Sequence, residues 1–171
     1  HTRSDVVTGV QTCALPIYFY EPKNGHGLKH DPFNAIVAPR PIGWISSRDK
    51  GGNVNLAPYS FFNAFCYAPP IIGFSSTNWK DSVANAEATG EFVWNLATRA
   101  LAEPMNATSA AVAADVDEFG RGGLTAAPSR EVTAPRVLES PVNFECRVTQ
   151  LIRLADVDGG EVDVVDDDAA V

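Results

Sequence analysis

Apolar and polar positions alternate over several short runs of this chain, and turn residues separate the runs. "NAIVAPRPIGWISS" (34–47) reads as a strand with a proline-marked break at Pro39 and Pro41. "RDKGGN" (48–53) follows as a hairpin turn in which Gly51 and Gly52 supply positive φ. Over residues 54–67, Tyr59, Phe61, Phe65 and Tyr67 share one parity, which predicts a strand; a helical turn over Phe61–Phe65 is the competing reading. "PIIGFSS" (70–76) and "EFVWNLA" (91–97) read as further strands. "VNFECRVTQLIRLA" (142–155) reads as a long alternating strand, and "EVDVV" (161–165) as the start of another. "WKDSVANAEATG" (79–90) reads as a short helix with Trp79, Val83 and Ala86 on one face and Gly90 at its end. A second helix is expected over "RALAEPMNATSAAVAA", broken or begun at Pro104, with a helical turn in "DEFGRGG" beyond it. Mostly short antiparallel strands with one or two helices predict a mainly β fold, a small barrel with helical insertions.

The composition narrows the class. A chain of 171 residues, 45% apolar and 20% charged, suits a globular fold, with residues 18–171 expected to form one domain. The net charge of −8 argues against nucleic acid and anionic membrane as partners. No run approaches the roughly 18 apolar residues of a membrane span. Cys13, Cys66 and Cys146 lie far apart without a CxxC, which predicts a reduced, cytoplasmic protein. Cys66, between Phe65 and Tyr67, is expected to be a small buried hydrophobe. Residues 1–17, "HTRSDVVTGVQTCALPI", show neither alternation nor a helical face. They resemble translated sequencing-adapter read-through and are expected to lie outside the fold. The acidic run from Asp156 to Asp168 reads as a solvated tail or a truncated terminus.

Motifs for nucleotides are missing: there is no GxGxxG and no GxxxxGK[ST]. His26 and His30 are four apart, but Gly25, Gly27 and Asp31–Pro32 oppose a helix there, so no metal site is expected. There is no GxSxG, no evident base for Ser60, and no catalytic acid–base pair. What remains is a distributed polar set. Ser46 and Ser47 end one strand; Asn55, Ala57, Pro58 and Ser60 follow the hairpin turn; Ser75 and Ser76 end the next strand; Lys80, Asp81 and Ser82 open a helix. A helix start exposes unpaired N–H groups and the positive end of the dipole, so a lysine and hydroxyls there make an anion site. The alternative is that Asp81 or Ser82 is an N-cap and Lys80 is solvated. "NVNLAPYSFFNAFCYAPPIIGFSS" (53–76) carries six aromatic rings and no charged residue. It suits either core packing or a wall for a flat heteroaromatic ring edged with hydrogen-bonding groups.

The long run "HDPFNAIVAPRPIGWISSRDKGGNVNLAPYSFFNAFCYAPPIIGFSS", followed by "KDSVANAEATGEFVWNLA" and "ESPVNFECRV", resembles the flavin reductase-like, FMN-binding split-barrel family from about Phe19 to Leu154. The resemblance implies a six-stranded antiparallel Greek-key split β-barrel, C-terminally truncated here, since the family continues well beyond Val171. It implies a homodimer holding FMN, or alternatively FAD, noncovalently near the subunit interface. Ser46 and the segment Asn55–Ser60, including Ala57 and Pro58, would line the ring and ribityl chain. Ser75, Ser76, Lys80 and Ser82 would hold the phosphate; Ser47 and Asp81 are also expected to be cofactor-binding. Ser82 stands where the family often has threonine and keeps the hydroxyl. The implied activity is NAD(P)H-dependent flavin reduction: hydride passes from NADH or NADPH to flavin N5, and reduced flavin passes to a partner oxygenase. The alternatives are a flavoprotein with another donor or acceptor, and a non-catalytic module that binds flavin or haem.

Overall fold

The computed structural model describes residues 18–77, 79–113 and 116–160, and the chain divides into two units, His1–Ala38 and Pro39–Val171. The expected adapter segment 1–17 and the strand expected at 161–165 lie outside the described residues.

In the first unit a 3-10 turn at Pro22–Asn24 ends on Gly25, whose φ of 75° suits glycine. Helix α1 (Pro32–Ile36) starts at Asp31, whose carboxylate accepts from the Phe33 N–H at 2.8 Å. Pro32 loses nothing in this first turn, where an N–H has no partner in any case. The strand expected from residue 34 is therefore corrected: α1 occupies its start, and pairing begins only at Gly43. Pro39 and Pro41 have no N–H to give a ladder.

The second unit contains, in order, β1 (Gly43–Arg48), β2 (Val54–Tyr59), β3 (Phe62–Tyr67), β4 (Pro70–Phe74), α2 (Asp81–Thr89), β5 (Glu91–Asn95), a 3-10 turn (Arg99–Leu101), α3 (Ala102–Ala107), α4 (Glu118–Gly122), β6 (Ala126–Ala127), β7 (Arg136–Val137) and β8 (Asn143–Arg147). Four strands form one antiparallel sheet in the order β2-β1-β5-β8; β3–β4 and β6–β7 are separate hairpins. Register aligns Ser46 with Leu56, Trp44 with Asn95, and Trp94 with Phe144. Pro58 is tolerated because β2 is an edge strand. The β1–β2 turn is held by Asp49, whose carboxylate accepts from Asn53 N–H at 2.8 Å and Asn53 Nδ2 at 2.7 Å. Only Gly52 there has positive φ (98°), so Gly51 was misread as a second such position.

Strand β1 is covered on both faces. On one side Trp44 packs with Leu56, Phe119 and Val137; on the other Ile45 packs with Tyr59 and Phe92. Each large apolar side chain so buried stabilises the fold by about 1.5–3 kcal/mol. The β3–β4 hairpin adds its inner face to the second cluster. Phe74 lies 4.8 Å from Tyr59 and 5.4 Å from Phe92 between ring centroids, and Phe62 stacks on Trp94 at 5.8 Å. Its outer face leaves Phe65 and Tyr67 exposed at 73% and 93%. The aromatic run 54–67 is thus two strands in different sheets, divided at the bend Ser60–Phe61, and not one. Cys66 is exposed, correcting its expected burial.

Asn95 is the polar hub of this interior. Fully buried, it donates to the Trp44 carbonyl and Ser46 Oγ, both at 3.1 Å, and accepts from Val137 N–H and Asn143 Nδ2, both at 2.8 Å. It joins β5 to β1, β7 and β8. The last of these is shorter than the long strand expected over 142–155. The helix expected from Arg99 is a 3-10 turn running into α3, with Pro104 accepted in its first turn. Helix α2 packs on β1 and ends at Gly90, where φ is 73° and the N–H bonds the Ala86 carbonyl at 2.9 Å. Among the described residues no helix is long and apolar enough to cross a membrane.

Candidate functional site

Strand β2, the start of α2 and the start of α4 converge on one buried polar cluster. Asn55, 8% exposed, lies 2.7 Å from Ser82 Oγ. With the amide turned to satisfy both neighbours, Asn55 Nδ2 donates to Glu118 Oε1 at 3.2 Å while its oxygen accepts from Ser82. One turn further along α2, Asn85 donates to Ser47 Oγ at 3.1 Å. The Tyr59 hydroxyl lies beside those of Ser82 and Ser76 without a well-aligned partner. Burial pushes the phenol pKa up, and the two serine hydroxyls act against that rise.

The helix start has a distinctive cap. Lys80 occupies the N-cap, in extended geometry, and has no side-chain acceptor to give the first turn. Neither Asp81 nor Ser82 is the cap, because both are already helical. The amino end of α2 therefore combines open backbone N–H groups, the positive end of the helix dipole and an ammonium. Asp81, half-buried in the first turn, opposes an anion there.

Asp49, Asn53, Val54, Asn55, Asp81 and Asn85 line a pocket of about 50 Å³ beside this end. That volume suits one or two waters or a few hydroxyls and is far below the roughly 300 Å³ or more that encloses a planar cofactor.

The structure distributes the sequence-predicted residues unevenly. Asn55, Asp81 and Ser82 meet at the cluster, with Lys80 at the helix start and Ser47 joined through Asn85. Ala57 and Pro58 are half-buried in the β2 ladder opposite Ile45 and Trp44, and Ser60 is exposed just beyond. Ser75 is exposed and its N–H bonds the Phe61 carbonyl at 2.8 Å; Ser76 is half-buried near Tyr59. Ser46 is turned inward: it is fully buried, donating to the Pro135 carbonyl at 2.5 Å and accepting from Asn95.

Sequence reasoning missed Glu118, Asn85 and Asp49, and took Tyr59 only as part of the segment Asn55–Ser60. Glu118 is 6% exposed and its Oε2 has no partner. Burial is the main cause pushing its carboxyl above the usual range; its own and the Leu56 N–H groups act against this, and Asp81 and Asp117 add to it. In sequence Glu118 reads only as an acidic residue favouring a helix start.

Comparisons with known proteins identify the family and the fold. The family model described as "Flavin reductase like domain" matches residues 37–166. An uncharacterized protein of Aquifex aeolicus (strain VF5) is 39% identical over 127 residues, which cover 71% of this chain and 65% of that protein. The chain spans 65%, 62% and 60% of three curated relatives it matches. Among solved structures, nitrilotriacetate monooxygenase component B from Bacillus cereus matches with a TM-score of 0.73 at 25% identity, over 86% of this chain and 76% of that one. A protein assigned as a flavin reductase with a split barrel domain, from Shewanella frigidimarina NCIMB 400, matches with a TM-score of 0.62 at 26% identity, over 76% and 69%.

Proposed function

This chain belongs to the flavin reductase like domain family, and from that premise we propose that it is an FMN-binding oxidoreductase that takes hydride from NADH or NADPH. The observation that carries the reading is the amino end of α2. Lys80 caps the helix without an acceptor, and Ser82 in the first turn is bonded to Asn55 of β2. An anionic tail is the ligand chemistry such an end favours. The adjoining pocket offers carboxylates and amides from Asp49, Asn53, Asn55, Asp81 and Asn85, which match the hydroxyls of a ribityl chain.

When bound, the flavin supplies the redox chemistry by accepting hydride at N5. The protein's share is placement. Lys80 and the first-turn amides of α2 would fix the phosphate, with Ser75 and Ser76 at the end of β4 and Ser82 beside them. Ala57 and Pro58 would present a stiff apolar edge to the ring, and Ser60 a hydroxyl. Ser47 and Asn85 brace α2 against β1 so that the two halves of the site keep their spacing.

In this reading β1–β5 and β8 are the six strands of a Greek-key split barrel, supported by the packing of the β3–β4 hairpin on Tyr59, Phe92 and Trp94. The exposed outer face of that hairpin, with Phe65 and Tyr67, supports a homodimer. The likeness to a monooxygenase component B supports a partner oxygenase that receives reduced flavin. Cytoplasmic placement accords with two free cysteines, Cys66 and Cys146. The test is anaerobic: protein loaded with FMN is mixed with NADH or NADPH. Bleaching of the yellow colour at a catalysed rate is the expected result; FMN-loaded protein inert to both donors contradicts the activity.

A further inference from the structure

Residues 129–135 lie between β6 and β7, and among the described residues every hydrogen bond that ties them to the four-stranded sheet has a side chain at one end. On β8 the Glu145 carboxylate accepts from Arg130 N–H at 3.0 Å and Glu131 N–H at 2.6 Å. Further along the same strand, Arg147 donates to the Glu131 carbonyl at 3.2 Å. Across from Arg147 on β5, Glu91 accepts from the Thr133 N–H at 2.8 Å and the Thr133 hydroxyl at 2.9 Å. At the end of β1, Arg48 donates to the Thr133 carbonyl at 2.9 Å. Charged side chains thus stand in for a neighbouring strand, acids meeting the N–H groups and guanidinium groups the carbonyls. Beneath them Val132 and Ala134 turn inward beside Val93, and the Pro135 carbonyl accepts from Ser46. Ser47, on the opposite face of β1, bonds Asn85 of α2, so this cover lies on the side of the strand away from the candidate site.

We propose that residues 129–135 are a strap that opens as one unit while the sheet beneath stays folded, with Glu91 and Glu145 as the fastenings that keep it shut. The fastenings are half-buried, so water replaces their bonds at small cost, whereas the ladder bonds of β1 and β5 are enclosed. Opening withdraws only a valine and an alanine from the interior, and Trp44, Ile45 and Phe92 keep their packing. Glu131 and Thr133 are two residues apart, so lifting one end off Glu145 pulls the other off Glu91. The strap's N–H groups hold both carboxylates below their usual range, which keeps the fastenings charged near neutrality. Opened, the strap uncovers Val93 and frees the Ser46 hydroxyl, giving water a way to the polar interior that Asn95 orders. The device is independent of the flavin reading.

Amide hydrogen exchange of the full ¹⁵N-labelled chain near neutral pH tests it, for the wild type, Glu145→Gln and Glu91→Gln. In the wild type the amides of Arg130, Glu131 and Thr133 share one opening equilibrium and exchange faster than those of β1 and β5. Glu145→Gln speeds all three by about tenfold, including Thr133, which it does not touch; Glu91→Gln does the same to Arg130 and Glu131. The sheet amides stay slow in both variants. Acceleration confined to the amides that each carboxylate bonds overturns the proposal, as do strap amides that exchange only at the rate of the sheet. Should either variant not fold, the wild type in low urea decides. One shared urea dependence, shallower than that of the sheet, supports the strap; three unrelated dependences, or the sheet's own, overturn it.

Discussion

Asn55 of β2 and Ser82 of α2 lie 2.7 Å apart, amide to hydroxyl, and both are buried. This bond joins the segment after the first hairpin turn to the start of a helix 27 residues away in sequence. It brings together two stretches that separately read as a core strand and an ordinary helix cap.

Lys80→Ala removes the only cation of the helix cap and leaves the buried cluster intact. FMN affinity should drop by about tenfold, in the range of a lost hydrogen bond to a charged group, while riboflavin affinity stays level. Parallel titrations of the two ligands by tryptophan fluorescence check this. Equal losses would show that the tail is held elsewhere.

Asn95→Leu tests the hub of the interior. The leucine is close in size but strands the Val137 N–H and the Asn143 amide, which now meet Asn95 Oδ1 at 2.8 Å each. A loss of about 3 kcal/mol is expected, because several buried groups lose partners at once. The urea midpoint measures it; an unchanged midpoint would show that water or rearrangement replaces the hub.

The acid limb of stability should depend on Glu145 and Glu91. Glu145 accepts from Arg130 N–H at 3.0 Å and Glu131 N–H at 2.6 Å, and these bonds hold its pKa below the ordinary 4.5. Glu91 is lowered in the same direction by the N–H and hydroxyl of Thr133. A lowered folded-state pKa means stability that is fully present above the ordinary value and lost as pH falls through the folded one. Urea unfolding from pH 2.5 to 7 should therefore show a gap between the wild type and Glu145→Gln that is largest near neutrality and closes in acid. A gap independent of pH would contradict it.

Local signals were legible where the chain neighbours that settle them are adjacent. Gly90 announced the end of α2, and the alternation of "EFVWNLA" announced β5. The division of the aromatic run at Ser60–Phe61 was not legible, because parity continues through the bend while the two halves join different sheets. The start of β1 was misplaced because Pro39 and Pro41 were read as a break within a strand, when they precede it. Asn95 and Glu118 carry the interior polar order, yet each takes its meaning from partners tens of residues away. One signal was available for Asn95: it shares the inward parity of Val93, where a polar side chain needs internal partners. For Glu118 no local pattern distinguishes a buried acid from a solvated one at a helix start.

The central claim is that a flavin lies along β2 with its phosphate on the amino end of α2. Amide NMR of the ¹⁵N-labelled chain titrated with FMN tests it most directly. The predicted result is that the largest shifts fall on Asp81, Ser82 and Val83 and on the amides of residues 55–60, with riboflavin moving the β2 set and sparing the α2 set. Shifts confined to other parts of the chain, or no shift at saturating FMN, would contradict it.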